Sequence, residues 1–142
     1  MPMPRRCRPP KEADVPGLAA RRAALRLLDA VLRRGEALET ALHAATQGLK
    51  RGSDKGLAHA IAADTLRWLP DIDALIDSVT EQIIPPDAKS RMVLRLALAQ
   101  ILCLETPHHA AVSTALPLVD GGPRKLVHGV LGSMIRGEAS LP

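Results

Sequence analysis

Apolar residues along the chain recur at intervals of three and four, the spacing that lines one face of an α-helix. From Leu18 to Arg34 the face consists of Leu18, Leu25, Leu28, Val31 and Leu32 with alanines between them, and Gly35 stands where a helix can end. Glu36 to Lys50 repeats the pattern through Leu38, Leu42, Ala45 and Leu49 before Gly52. Two helices joined by so few residues should form an antiparallel or angled pair. Ser53 or Asp54 is placed to cap a third helix whose inner face is Leu57, Ile61, Leu66 and Trp68. Pro70 stops that helix and can open a fourth, which shows Ile72, Leu75, Ile76 and Val79. Pro85 and Pro86 then interrupt, Asp87 offers a cap, and the most apolar helix follows with Val93, Leu94, Ala97, Leu98, Ile101 and Leu102. A helix that is apolar on most sides belongs at the centre of a bundle. Pro107 opens a sixth segment through Val112 and Leu116, with a bend expected at Pro117. Pro123 opens a seventh, carrying Leu126, Val127, Val130, Leu131, Met134 and Ile135. The prediction is an all-α domain of about seven helices over residues 18–137, with no fixed-period repeat.

Composition sharpens this reading. The 142 residues include 22 Ala and 22 Leu but only 15 Val and Ile together, a balance that favours helix over strand. Phe and Tyr are absent and Trp occurs once, which removes the stacking platforms of RNA-recognition motifs and oligonucleotide-binding barrels. Cys7 and Cys103 cannot supply a four-thiolate zinc site or a disulfide framework, so a reducing, cytoplasmic setting is expected. No apolar run reaches the roughly 18 residues of a membrane span: the stretch from Leu94 to Leu104 is interrupted by Arg95 and Gln100. No hydrophobic stretch follows the N-terminal arginines and prolines, so no secretory signal is read there.

Charge is unevenly spread. Residues 1–34 carry nine Lys or Arg against three acids, a surplus of +6, and residues 35–142 carry ten against twelve, a deficit of −2, giving the net +4. Such asymmetry points to a polyanion or an acidic partner approached through the N-terminal end. Proline density and charge make residues 1–17, with Arg5, Arg6, Arg8 and Lys11, read as a disordered basic tail. Residues 138–142 read as a C-terminal tail or the start of a linker.

The candidate RNA-contacting residues begin with Arg21, Arg22 and Arg26 on the opening helix, where Arg22 and Arg26 are four apart and share a face. Guanidinium groups at one helix end, joined by the basic tail, can contact successive phosphates with little sequence information. The competing reading is a solvated helix surface behind an unstructured leader. Gly121-Gly122-Pro123-Arg124-Lys125 resembles a phosphate-receptive helix start, which makes Arg124 and Lys125 accessory candidates, although an ordinary inter-helix turn accounts for the same residues. His108 and His109 are adjacent and would splay on a helix, while His43, His59 and His128 are scattered, so no metal site is expected. Cys103 sits among leucines as a small hydrophobe. Asp71, Asp73, Asp77 and Glu81 on the fourth helix are explained by capping and solubility. No GxSxG, Walker A, HExxH or GxGxxG pattern occurs, so the chain reads as non-catalytic with no cofactor of its own.

Several stretches together carry a family resemblance. Thr65-Leu66-Arg67-Trp68-Leu69-Pro70-Asp71-Ile72-Asp73-Ala74-Leu75 resembles the segment joining middle helices in the NusB-like N-terminal domain of bacterial 16S rRNA cytosine-5 methyltransferases of the Sun (Fmu) family. Pro107-His108-His109-Ala110-Ala111-Val112-Ser113 is similar to that domain's HAAVN element, Leu126-Val127-His128-Gly129-Val130-Leu131 to its final helix, and Ala20 to Leu28 to its first. Order and spacing agree across about residues 18–137. The resemblance implies a NusB-like bundle of about seven helices that binds RNA, 16S rRNA in the first place, through the arginines of its first helix. It further implies a methyltransferase domain as intramolecular partner, using S-adenosylmethionine, and this chain shows neither the Gly-rich cofactor loop nor the Pro-Cys motif of such a domain. Ser113 and His128 stand where the family usually has Asn, and Gly132 and Ser133 where it often has basic residues, which directs attention away from the last helix. The alternative is a free-standing NusB-type transcription antitermination factor that binds leader RNA together with a ribosomal protein.

Overall fold

A computed structural model describes residues 15–137. Among them are seven α-helices and no strand: α1 (Leu18–Leu32), α2 (Leu38–Thr46), α3 (Gly52–Arg67), α4 (Leu69–Val79), α5 (Lys89–Cys103), α6 (His108–Ala115) and α7 (Gly121–Arg136), with a 3₁₀ turn (Leu116–Leu118) between the last two. The helical spacing of the sequence thus matches the observed order of elements. Pro117 ends α6 in that short turn, and Pro70 and Pro123 fall in the first turns of α4 and α7, where a missing N–H costs nothing.

The helix starts depart from the expected caps. Arg51, not Ser53 or Asp54, is the N-cap of α3, and Ala88, not Asp87, is that of α5; neither makes a side-chain capping bond. Backbone geometry governs the ends instead. At the end of α1, Gly35 adopts φ +69° and the Glu36 N–H donates to the Ala30 carbonyl at 3.0 Å, the 6→1 bond of a Schellman turn. The same bond closes α5, from the Thr106 N–H to the Gln100 carbonyl at 2.9 Å, but there the left-handed position is Glu105 at φ +54°. A side chain in that region is strained.

α1 packs against α2 and α3, and α5 runs through the middle, touching α1, α3, α4, α6 and α7. Every residue from Ser90 to Gln100 is buried. Leu94, Leu96 and Leu98 meet Leu27, Leu28, Ile61, Ile72, Ile76 and Leu131 in one core, and each such side chain contributes about 1.5–3 kcal/mol by leaving water. The two residues that interrupt the apolar run of α5, Arg95 and Gln100, are also inside, together with Arg91. Their polar groups therefore need partners.

Two of the α4 aspartates provide them. Asp73 takes a forked bond from Arg95, with Nε donating to Oδ1 at 2.8 Å and Nη2 to Oδ2 at 2.9 Å, and also accepts Arg91 Nη1 at 3.2 Å. Asp77 accepts Arg91 Nη2 at 2.6 Å. The remaining guanidinium donors reach the Ile84 and Pro86 carbonyls of the α4–α5 connection. Capping and solubility therefore do not account for Asp73 and Asp77, which fasten α4 and its following loop to the central helix by charge-assisted bonds.

Candidate nucleic-acid interface

The three arginines of α1 have three different environments, because a helix turns each successive residue by about 100°. Arg21 points inward. It is 9% exposed, its Nε donates to Gln100 Oε1 at 2.8 Å, and its Nη1 reaches back to the Gly17 carbonyl at 3.4 Å. Burial lowers its pKa from the ordinary arginine value, and Asp54, in the first turn of α3, partly offsets this. Gln100 is held for this role by its own Nε2–H, which donates to the Leu96 carbonyl at 3.1 Å. Arg21 thus ties the start of α1 to the core helix. Arg22 is half-buried, and Arg26, one turn on, is exposed. The helix therefore divides the trio instead of presenting it as one surface.

Gly17 makes the inward turn of Arg21 possible. It sits at φ +78°, and a Cβ there would collide with the Arg21 guanidinium. The chain enters α1 through this residue, so the basic segment before it joins the domain beside the Arg21 contact. Arg5, Arg6, Arg8 and Lys11, with Cys7, lie outside the described residues.

α1 packs along α3, and Asp54 in the first turn of α3 is near enough to act on Arg21 in the first turn of α1. Around that junction Lys50, Arg51 and Lys55 are exposed, and Asp54 is the acid among them. Sequence reasoning passed over these three cations because they straddle a helix boundary and show no helical spacing. Their signal is spatial: they flank Asp54, which acts on Arg21 where α1 begins.

At the other end of α1 the arginines share their surroundings with acids. Arg26 and Arg34 line a recess of about 200 Å³ with Asp29 and Glu36 between α1 and α2. Arg34 Nε donates to Glu36 Oε2 at 2.8 Å, and this bond raises the Arg34 pKa; Arg33 Nη1 pairs with Asp29 Oδ1 at 3.0 Å. Arg124 is similarly occupied, donating from Nε to the Val119 carbonyl at 2.8 Å and from Nη2 to Asp120 Oδ1 at 3.3 Å. With the Asp120 carboxylate standing exposed at the start of α7, that helix end carries an acid where a phosphate would bind. Lys125 is exposed and lines a groove between α7 and the α4–α5 connection.

Among the described residues no three His, Cys, Asp or Glu side chains converge, and no helix is long and apolar enough to cross a membrane. Burial, aided by Asp64 and opposed by Arg67, pushes the Cys103 thiol up, which suits a packing role.

The NusB family profile matches residues 18–136, which is the whole helical bundle. The chain belongs to the NusB family. Its fold agrees: T. maritima NusB superposes with a TM-score of 0.75 at 24% identity, covering 89% of this chain and 94% of that one. A chain in the crystal structure of a plectonemic RNA supercoil superposes with a TM-score of 0.77 at 22% identity, covering 85% and 94%. By sequence the NusB-family bundle is similar to ribosomal RNA small subunit methyltransferase B of Xanthomonas campestris pv. campestris, 32% identical over 88% of this chain and 29% of that protein. The protein of the same name from Pseudomonas putida is 29% identical over 82% of this chain and 27% of its own length. The matches fall in the N-terminal region of these methyltransferases, so the chain spans less than a third of their length.

Proposed function

We propose that this NusB-family bundle is a non-catalytic RNA-binding domain that positions 16S rRNA for a bacterial cytosine-5 methyltransferase domain, itself dependent on S-adenosylmethionine, in the cytoplasm. The observation that carries the reading is the junction of α1 and α3, where Asp54 acts on Arg21 across the two helix starts and the exposed Lys50, Arg51 and Lys55 are its sequence neighbours. Such a cluster holds a phosphate backbone through Coulomb attraction and counterion release, without base readout. Arg22, and beyond it Arg26 in its recess with Asp29 and Glu36, extend it along α1; Arg21 acts behind it by fixing where α1 begins. Arg5, Arg6, Arg8 and Lys11 add positive charge in this reading, and Lys125 is the accessory contact, with Arg124 joining only by giving up its bond to Asp120. The likeness to methyltransferase N-terminal regions supports the rRNA target, and the RNA structure in which a similar chain was solved supports RNA as ligand.

A second reading, a free-standing antitermination factor acting with a ribosomal protein on leader RNA, is favoured by the 94% coverage of T. maritima NusB. Fluorescence anisotropy of the 142-residue chain with 16S rRNA fragments, and with leader RNA in the presence and absence of the ribosomal protein, separates the two. Preference for rRNA fragments with no gain from the ribosomal protein is expected. Cooperative binding of leader RNA with that protein would select the second reading, and no RNA binding at low salt would overturn both.

A further inference from the structure

Val79, Ile83 and Leu126 are the large hydrophobic side chains left exposed among the described residues, at 39%, 74% and 40%. All three line one groove of about 750 Å³, between the α4–α5 connection and α7. Scattered single apolar residues need no explanation, but three converging on one concavity do. The α7 wall steps from Leu126 to Gly129 to Ser133, and a Cβ at Gly129 would meet nothing, so another backbone can approach closely. Glu81, Gln82 and Lys125 are the exposed polar residues of its lining.

We infer that this groove is the dock for the methyltransferase domain, an inference that rests on the proposed function above. Three observations select that occupant. In the methyltransferases this chain resembles, the matched region is N-terminal, so the larger remainder follows the counterpart of α7, and α7 is the helix that forms one wall. A phosphate backbone gains little from a groove whose exposed side chains are mainly apolar, and the cations around the α1–α3 junction belong to other helices. A second copy would have to bury about 800 Å² per partner to hold a stable dimer, far more than three half-exposed side chains supply. A tethered domain needs much less, because the tether keeps its effective concentration near the millimolar range.

The test grafts this chain in place of the matched N-terminal region of the Xanthomonas campestris methyltransferase, keeping that protein whole, and compares hydrogen exchange with the 142-residue chain alone. The amides from Thr80 to Ile84 should exchange at least tenfold more slowly in the graft, and Ile83→Glu with Leu126→Glu should abolish the difference. Circular dichroism of the doubly substituted 142-residue chain checks folding, which two exposed positions should leave intact. Equal exchange in both contexts, or protection at the α1–α3 end instead, would overturn the inference. So would self-association of the isolated chain that the two substitutions abolish, or protection of the groove by an rRNA fragment. A graft that protects the groove yet binds no RNA would sink the RNA-binding reading and leave the dock standing; the reverse result would sink the dock alone.

Discussion

Asp73→Ala isolates the clamp between α4 and the central helix. It removes the forked acceptor of Arg95 and one of the two carboxylates of Arg91, whose side chains are 5% and 3% exposed. Arg91 keeps Asp77 and the Ile84 carbonyl, but Arg95 is left with the Pro86 carbonyl alone among its oxygen acceptors. Removing one partner of a buried ion pair costs about 3–5 kcal/mol. Asp73 itself is 26% exposed, so water can partly replace it and the lower end, about 3 kcal/mol, is expected. For a domain of this size that lowers Tm by about 12 °C, at about 4 °C per kcal/mol. Urea unfolding followed by circular dichroism measures it: the midpoint should fall while the m value stays constant. Asp71→Ala, in the first turn of the same helix and without such a pair, should cost about 0.5 kcal/mol through the helix dipole. Arg95→Met added to Asp73→Ala should recover part of the loss by removing the unpaired charge. A loss below about 1 kcal/mol, or one equal to that of Asp71→Ala, would refute the clamp.

Three further outcomes are expected. Gly17→Ala forces a Cβ against the Arg21 guanidinium at a positive φ and should destabilise by about 1–3 kcal/mol in the same urea assay, with an unchanged midpoint arguing against the Arg21–Gln100 tie. Glu105→Gly relieves the left-handed side chain after α5 and should raise stability by about 0.5–1 kcal/mol, a sign that a loss would contradict. In a Cys7→Ser background, Cys103 should react with a disulfide reagent more slowly in the folded chain than in urea-unfolded chain near pH 8. The raised thiol pKa leaves less thiolate there, and the gap should narrow as pH rises; equal rates at pH 8 would refute the packing role.

The helical order was legible in the sequence because the apolar spacing, the prolines and Gly35 each act locally. Caps were less legible: Ser53, Asp54 and Asp87 have the right chemistry, but Arg51 and Ala88 take the cap positions and tertiary packing fixes where α3 and α5 start. The charged residues were hardest to read. Arg91 and Arg95 look like interruptions of an apolar helix, and Asp73 and Asp77 like surface acids, until α4 folds back and joins them across 14 to 22 residues. Arg21 and Arg26 look alike on α1, yet one faces Gln100, 79 residues away, and the other faces solvent. The candidate interface was read from the tail, α1 and the start of α7, whereas Lys50, Arg51 and Lys55 lie around the start of α3, which only tertiary packing brings near α1.

RNA attachment through that junction of α1 and α3 is tested most directly by the salt dependence of RNA affinity. For the wild-type chain and for Lys50→Ala/Arg51→Ala/Lys55→Ala, the slope of log K against log salt with a 16S rRNA fragment should differ by about 2, at about 0.7 for each lost phosphate contact on single-stranded RNA. Parallel lines for the two proteins, with equal affinity at low salt, would contradict it.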